Sequence, residues 1–524
     1  MLNDKLNAHL CFNVRFINVI VGAYCFHVKE RSILNNSENK MTVTRFAPSP
    51  TGYMHIGNLR TALYSYLIAK HDNGRFILRI EDTDRERLVE GATDVIIKTL
   101  EMTGLDYDEG PGVGGEHGPY IQSERKPIYM EYAKKLIESK DAYYCFCTKE
   151  RLDKLHETDA TGGYDRHCRN LSDEEVKKNL EAGIPFVIRQ KMPLEGRTSY
   201  VDSVFGEIST DNSELQDQIL IKADGYPTYN FAHVVDDHLM GVTHVVRGSE
   251  YLTSTPKYVL LYDALGWERP TYVHLPLLMG KNDDGTVSKL SKRHGAVSFQ
   301  DLVADGYLPK AIINYIALLG WCPKKTDKEF FTLDELKETF SIDGVNKSPS
   351  VFDFAKLLYF NAEYIRKMPP DEFRAAVTPF IKTKFADNID LDKMLSLIQG
   401  RIEKLSEADE KLAIFSSLPD YGTDMFVNKK NKVTEESARE LMPLIAKELQ
   451  LVGEWSNDAL YDALTALAEK LSVKSGALLW CVRIAVSGMP VTPGGATEIM
   501  DVLGKEESLR RIETAIEKLT GKAL

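Results

Sequence analysis

The sequence predicts an α/β domain that is interrupted by an insertion and followed by an all-α region. Three observations carry that prediction. After Met41 the chain runs strand, loop, helix, strand, the start of a βαβ unit and so of a parallel sheet. A second strand-and-helix block, at about 224–281, supplies further apolar strands. Beyond Gly285 the apolar residues recur almost throughout with helical spacing.

The elements can be justified in order. Residues 43–47 are short and mostly apolar, and Pro48, Pro50 and Gly52 then break the strand. A helix is expected over 59–69, with Leu59, Leu63, Tyr66 and Leu67 on one face. Residues 75–80 alternate, with Phe76, Leu78 and Ile80 on one side. Glu81-Asp82-Thr83-Asp84 ends that strand, where open α/β sheets place their ligand sites. The insertion, about 121–223, shows helical patterns near 128–139 and 173–182. Strands at 244–247 and 271–274 resume the sheet. Helices follow at 309–319 and at 509–519, where Leu509, Ile512, Ile516 and Leu519 form one stripe.

Length and charge limit the function. A chain of 524 residues is too long for one core, and about three to five units are expected. With 43% hydrophobic and 27% charged residues it reads as an ordinary globular protein. The balance of 65 basic against 77 acidic residues excludes a generally basic nucleic-acid coat. It leaves open a nucleic-acid enzyme, because binding follows where Lys and Arg cluster. Seven cysteines, an odd number, make no disulfide framework and suggest a reducing, cytoplasmic compartment. No membrane span is expected, since the apolar stretch 8–27 is interrupted by Asn13, Arg15 and Asn18. Residues 1–40 read as an upstream start, with a weak transit peptide as the alternative, and the working protein begins near Met41.

Two motifs carry chemistry. Arg45-Phe46-Ala47-Pro48-Ser49-Pro50-Thr51-Gly52-Tyr53-Met54-His55-Ile56-Gly57-Asn58 is a strand, a proline-stiffened loop and a helix N-terminus. Such a terminus offers free N–H groups and a positive dipole end to phosphate. Gly52 and Gly57 allow close approach, and His55 adds a donor for charge on a transferring phosphoryl group. Taken alone, His55 is equally well a helix cap. Far downstream, Val287-Ser288-Lys289-Leu290-Ser291-Lys292-Arg293-His294-Gly295 sets two lysines three apart on a short loop. They could close over a polyphosphate, and alone they would read as a solvated basic turn.

Together the motifs resemble those of a known family. His55-Ile56-Gly57-Asn58 is similar to the HIGH motif, and Lys289-Leu290-Ser291-Lys292-Arg293 to the KMSKS motif, of class I aminoacyl-tRNA synthetases. The flanks resemble glutamyl-tRNA synthetases of bacterial type. These are Arg45 to Gly57, Arg79-Ile80-Glu81-Asp82-Thr83-Asp84, Gly225-Tyr226-Pro227-Thr228-Tyr229-Asn230 and Val234-Val235-Asp236-Asp237-His238. The likeness continues through 348–365 and 488–494, so it covers nearly everything after residue 40.

The resemblance implies a class I synthetase fold. A Rossmann-like catalytic domain would be split between 41–120 and 224–281, around an acceptor-stem-binding domain at 121–223. A stem-contact domain at 282–368 would carry the Lys289 loop, and a helical anticodon-binding domain would fill 369–524. It implies ATP with Mg²⁺ held by His55, Gly57, Asn58, Lys289, Ser291 and Lys292, with His55 and the two lysines catalytic. L-Glutamate would be held by Arg45, Ser49, Glu81, Tyr229 and Arg247. Two carboxylates call for guanidinium forks, which Arg45 and Arg247 can supply, and Glu81 would take the ammonium. His233 stands where some relatives have Asn, so it is not counted as a ligand. Singly, Glu81 and Arg247 could instead be structural ion pairs and Tyr229 a core residue. For tRNA(Glu), the resemblance implies anticodon contacts from Arg483, Thr492, Pro493 and Gly494. It also implies that tRNA binds before glutamate is activated, and a monomer is the default.

Some members of the family hold zinc between a Cys-x-Cys pair and a later Tyr-x-x-x-Cys. Cys145, Cys147, Tyr164 and Cys168 match those positions, with His167 as a substitute ligand. Three thiolates and one N or O ligand make a closed structural site; ordinary buried cysteines are the alternative. The rival readings are a glutaminyl-tRNA synthetase, which carries β-barrels where this chain is helical, and a tRNA-modifying paralogue, which lacks the anticodon domain. A non-catalytic tRNA-binding descendant need not keep His55, Gly57, Lys289 and Lys292.

Overall fold

The computed structural model describes residues 41–158, 163–324 and 326–521. The expectation for residues 1–40 lies outside them. Strands β1 (Val43–Phe46) and β2 (Arg75–Leu78) pair in parallel, and helix Ile56–His71 crosses between them. The helix starts three residues earlier than the periodicity suggested. It is also buried on more than one face: Leu59, Ala62, Leu63, Tyr64 and Leu67 are all inaccessible. The cause is a second cover. The Tyr64 hydroxyl donates to the carbonyls of Ala317 and Leu319, and Arg60 donates to those of Leu319 and Pro276, clamping helix Pro309–Ala317 onto it. β2 is likewise covered on both faces, so Ile77 is as buried as Phe76 and Leu78.

Strands β3 (Ala142–Cys145), β4 (Val187–Gln190) and β7 (Ile219–Ile221) form a small antiparallel sheet in the order β3-β4-β7. Between β4 and β7 the chain makes a hairpin, β5 (Arg197–Asp202) and β6 (Gly206–Asp211). This hairpin does not stay with the small sheet. β5 pairs in parallel with β9 (Thr271–Leu275), which pairs in parallel with β8 (His244–Gly248), in the order β6-β5-β9-β8. A segment of the span 121–223 thus borders the central sheet. The Val43 N–H donates to the Thr243 hydroxyl, and the Val43 carbonyl accepts the Thr243 N–H, which seats β1 beside β8. Between β7 and β8 lies helix Tyr229–Leu239, and helix Thr255–Ala264 follows β8.

Past Gly285 the chain is not wholly helical. β10 (Leu278–Lys281), β11 (Val287–Lys289) and β12 (Ser350–Val351) form a three-stranded sheet in the order β11-β10-β12, which carries the Lys289 loop at its edge. The C-terminal half is helical, and one core runs from Leu308 and Ala311 through to Ile516 and Leu519. The closing helix is longer than its stripe, Ala496–Thr520, with a left-handed break at Gly504 (φ 77°). Among the described residues no helix is long and apolar enough to cross a membrane.

Candidate active site

The two signature loops meet. His55 caps helix Ile56–His71 with extended backbone, and its Nδ1 accepts the Gly57 N–H at 3.0 Å. A Cβ at Gly57 would stand 3.2 Å from that nitrogen, so glycine lets the ring sit there. The Leu290 backbone, next to Lys289, lies close enough to the ring to favour its proton. Burial, with Lys289 adding to it, lowers the His55 pKa, which keeps the ring neutral. The Ile56 N–H donates to Val297 O at 2.9 Å and the Phe299 N–H to Met54 O at 2.9 Å, fixing one loop against the other.

Lys289 ends β11, exposed, with its Nζ 3.8 Å from a Glu250 oxygen. Lys292 is exposed, at the start of a 3₁₀ turn, Lys292–His294. Ser291 is tied to His294, whose Nδ1 accepts the Ser291 N–H at 3.1 Å. The Nε2 of His294 reaches Asn282 Oδ1 at 2.9 Å. Asn58 is exposed beside His55.

Behind the loops lies a buried charged pocket. Arg45 on β1 donates through Nε to Asp237 Oδ1 at 3.0 Å. Arg79, just past β2, donates to the same oxygen at 2.8 Å and to Glu81 Oε1 at 2.9 Å. Although burial opposes it, Arg45 and Arg79 hold the Asp237 carboxyl well below the usual carboxylate range. Burial pushes Glu81 the other way, upward, against Arg79. Gln122 joins Glu81 to Asp236, which also accepts from Arg125 and Tyr129 and stands 3.7 Å from Arg79 Nε. Ser49 is exposed, but Pro48 O accepts the Glu81 N–H at 3.0 Å and keeps its segment at the pocket.

Across the pocket, Arg247 on β8 is only 5% exposed. Its Nε donates to His274 Nε2 at 3.1 Å and its Nη2 to the Thr255 hydroxyl at 2.7 Å, while Nη1 lies 3.4 Å from His233 Nε2. Tyr258 and Tyr251 flank the guanidinium, with ring centroids 4.8 and 5.1 Å away. Among the described residues no carboxylate lies within ion-pair reach of Arg247. Tyr229 opens helix Tyr229–Leu239 and stacks on His233 at 4.8 Å. Burial, then the charge of Arg247, pushes His233 down to about 3. Its Nδ1 therefore donates to Tyr229 O, and Nε2 is left as an acceptor facing Arg247.

The structure thus brings Arg45, Glu81, Tyr229 and Arg247 into one pocket, and His55 to the Lys289 loop. Sequence reading discounted His233 and gave no role to Arg79, Asp237, Thr255 or His274. One signal was available: Asp236-Asp237 interrupts an apolar helical pattern, and both are fully buried.

The third constellation is the cysteine cluster. The sulfurs of Cys145, Cys147 and Cys168 lie within 4.8 Å of one another. Cys147 and Cys168 are 3.6 Å apart, far beyond the ~2.05 Å of a disulfide and near the ~3.8 Å edge of a tetrahedron with ~2.3 Å metal–sulfur bonds. The Tyr164 oxygen is 3.2 Å from Cys145 Sγ. Donation from Cys168, helped by Tyr164 against burial, pushes the Cys145 thiol down to about 4, while Cys147, through burial and the charge of Cys145, and Cys168, through its donation to Cys145, are pushed up. The donor set fits a soft divalent cation. His167 is exposed and outside the group.

In the C-terminal core, Arg483 lies on helix Ser475–Ser487 with its Nε buried and unpartnered among the described residues. The Thr492 hydroxyl donates to Gly494 O at 2.6 Å, closing the turn that contains Pro493.

An interrupted parallel sheet whose first helix starts with His-Ile-Gly-Asn, facing a Lys-Leu-Ser-Lys-Arg loop, defines a class I aminoacyl-tRNA synthetase. Residues 41–359 match the family model for tRNA synthetases class I (E and Q), catalytic domain, and 372–516 that for the anticodon binding domain. Glutamate–tRNA ligase of Clostridium novyi is 56% identical over 480 residues, 91% of this chain and 98% of that one. That of Clostridium tetani is 55% identical over 480 residues, 91% and 97% of the two chains. A crystal structure of a glutamate tRNA ligase from Elizabethkingia meningosepticum, in complex with its amino acid, superposes with a TM-score of 0.83. It is 34% identical, over 92% of this chain and all of that one. The chain belongs to the glutamate–tRNA ligase family.

Proposed function

We propose that this protein activates L-glutamate with ATP and transfers it to the 3′-terminal adenosine of tRNA(Glu), releasing AMP and pyrophosphate. The observation that carries the reading is Arg247, a buried guanidinium held by neutral groups alone. It keeps its full charge for a carboxylate that must come from outside, across from Arg45 and Glu81.

In the first step an oxygen of the glutamate α-carboxylate attacks the α-phosphorus of ATP, the bond to the β-phosphate breaks, and pyrophosphate leaves. In the second, a hydroxyl of the terminal adenosine attacks the acyl carbon and AMP leaves. ATP enters as its Mg²⁺ complex, and the ion screens phosphate charge. No protein nucleophile is required; the residues position and stabilise. Arg45 and Arg247 orient the carboxylates, Glu81 takes the ammonium, and Tyr229 and Ser49 close the site. His55, Lys289 and Lys292 take up phosphate charge, with Gly57, Asn58 and Ser291 lining the nucleotide. Arg483, Thr492, Pro493 and Gly494 read the anticodon, and residues 121–223 meet the acceptor stem. Cys145, Cys147, Tyr164 and Cys168 hold one structural zinc. The unpaired cysteines agree with a cytoplasmic setting, and the protein is taken to act as a monomer.

The test is aminoacylation of purified tRNA(Glu) and tRNA(Gln) with labelled glutamate and glutamine. Glutamate on tRNA(Glu) is expected; folded protein that charges neither tRNA overturns the reading. Pyrophosphate exchange should require tRNA, and an equal rate without it removes that part.

A further inference from the structure

The same pocket contains a buried relay that reaches it from the β5–β6 hairpin. Asp202, the last residue of β5, is 1% exposed, and His274 on β9 is fully buried. Asp202 Oδ2 accepts both the ring Nδ1–H of His274 at 2.7 Å and its backbone N–H at 3.1 Å. Asp202 Oδ1 accepts the N–H groups of Val204 and Phe205, which form the hairpin turn. The carboxylate is thereby anchored on both oxygens, and it dictates which ring nitrogen of His274 carries the proton. Nε2 is left without a proton, 3.1 Å from Arg247 Nε, which donates to it, and 3.3 Å from the Thr255 hydroxyl.

The tautomer has a consequence. Were Nε2 protonated, two N–H groups would face each other at that distance, and Arg247 would have to turn away. Burial lowers the His274 pKa, which keeps the ring neutral. Thr255, fully buried, takes Nη2 of Arg247 and passes its own proton to Tyr251 O at 2.8 Å. With Nε on His274, Nη2 on Thr255 and Nη1 beside His233, three of the five N–H groups of Arg247 are engaged. One N–H on Nη1 and one on Nη2 remain for a carboxylate.

We propose that Asp202 and His274 are positioning residues for substrate recognition: Asp202 fixes the tautomer of His274, and His274 turns Arg247 so that its remaining N–H groups meet a substrate carboxylate. The negative charge of Asp202 stays one ring away, so it offsets the guanidinium less than a direct ion pair would. The hairpin that follows β4 therefore sets the recognition of the amino acid. This rests on Arg247 being a glutamate-binding residue.

Steady-state charging of tRNA(Glu) by full-length variants tests it. His274→Leu removes the acceptor, and Asp202→Asn places an N–H donor against the ring. Each should raise the glutamate KM by about tenfold or more while the ATP KM stays within about twofold. The double variant should be no worse than the worse single one, because both break one chain. His274→Gln, which can accept from Arg247 and donate to Asp202, should recover to within about threefold of the starting KM. Nitrogen-15 spectra of His-labelled protein should show His274 as the Nδ1–H tautomer across roughly pH 6 to 8, a reading that needs no variant to fold. A folded His274→Leu enzyme with unchanged glutamate KM, equal rises in both KM values, or an Nε2–H tautomer would each overturn the relay. Arg247→Ala separates the two claims. If it leaves the glutamate KM unchanged, the assignment of Arg247 fails; if it raises KM and His274→Leu does not, the relay alone fails.

Discussion

His233 shows how a single residue shapes the pocket. It sits beside a buried guanidinium, and both burial and that charge oppose its protonation, pushing it down to about 3. A base whose folded pKa lies below its unfolded value contributes full stability only above the unfolded value. Below that, the unfolded chain binds the proton and the folded one does not, so stability falls as pH drops from about 6.5 towards 3. Stability should therefore decline by up to about 1.4 kcal/mol per pH unit in that window on account of His233. The His233→Asn variant should show a shallower decline in denaturant titrations between roughly pH 6.5 and 5. An identical slope in the two proteins would mean the ring is protonated in the fold, against its geometry. The same residue was discounted as a ligand from the sequence because it stands where some relatives have Asn, and what it faces is visible only in the fold.

At the scale of an element, the Lys289 loop is braced from within. His294 spans from Ser291 to Asn282 and lies against Gly280 of β10, where an added Cβ would stand 2.5 Å from the ring. Glycine at 280 is a packing requirement. Gly280→Ala must displace His294 and with it Ser291 and the two lysines, an overpacking strain of roughly 1–3 kcal/mol. The expected result is an ATP KM raised about tenfold with the glutamate KM little changed, read in pyrophosphate exchange with tRNA present. Equal effects on both substrates would show that the strain is dispersed through the sheet instead. The cysteine cluster is the other local device. Purified protein should carry about one zinc per chain, and its removal by a chelator should lower the melting temperature by several degrees. Protein grown with zinc that contains none would leave three clustered thiols and no site.

Over the whole molecule, two of the buried clusters are much the larger. The sheet-centred core surrounds the pocket, and the helical one, reaching from Leu308 to Leu519, carries Arg483. Arg483→Ala should raise the KM for tRNA by about ten- to a hundredfold, the worth of a bidentate base contact. The KM values for glutamate and ATP should stay put; a rise in those instead would place Arg483 in the support of the helical core. The sequence by itself determined the βαβ opening, the interrupted sheet, the helical second half and both signature loops, because each is written in local periodicity or in contiguous residues. It also held Arg45, Glu81, Tyr229 and Arg247, and the spacing that gathers Cys145, Cys147 and Cys168. Only the tertiary structure decided who holds whom. Asp237 pairs with Arg45 across 192 residues and with Arg79 across 158, Asp202 reaches His274 across 72, and the hairpin leaves its own small sheet for the central one. Such pairings leave no periodic trace. They depend on which buried charges the fold brings within about 3 Å in a medium that cannot screen them, and that is a property of the packed molecule.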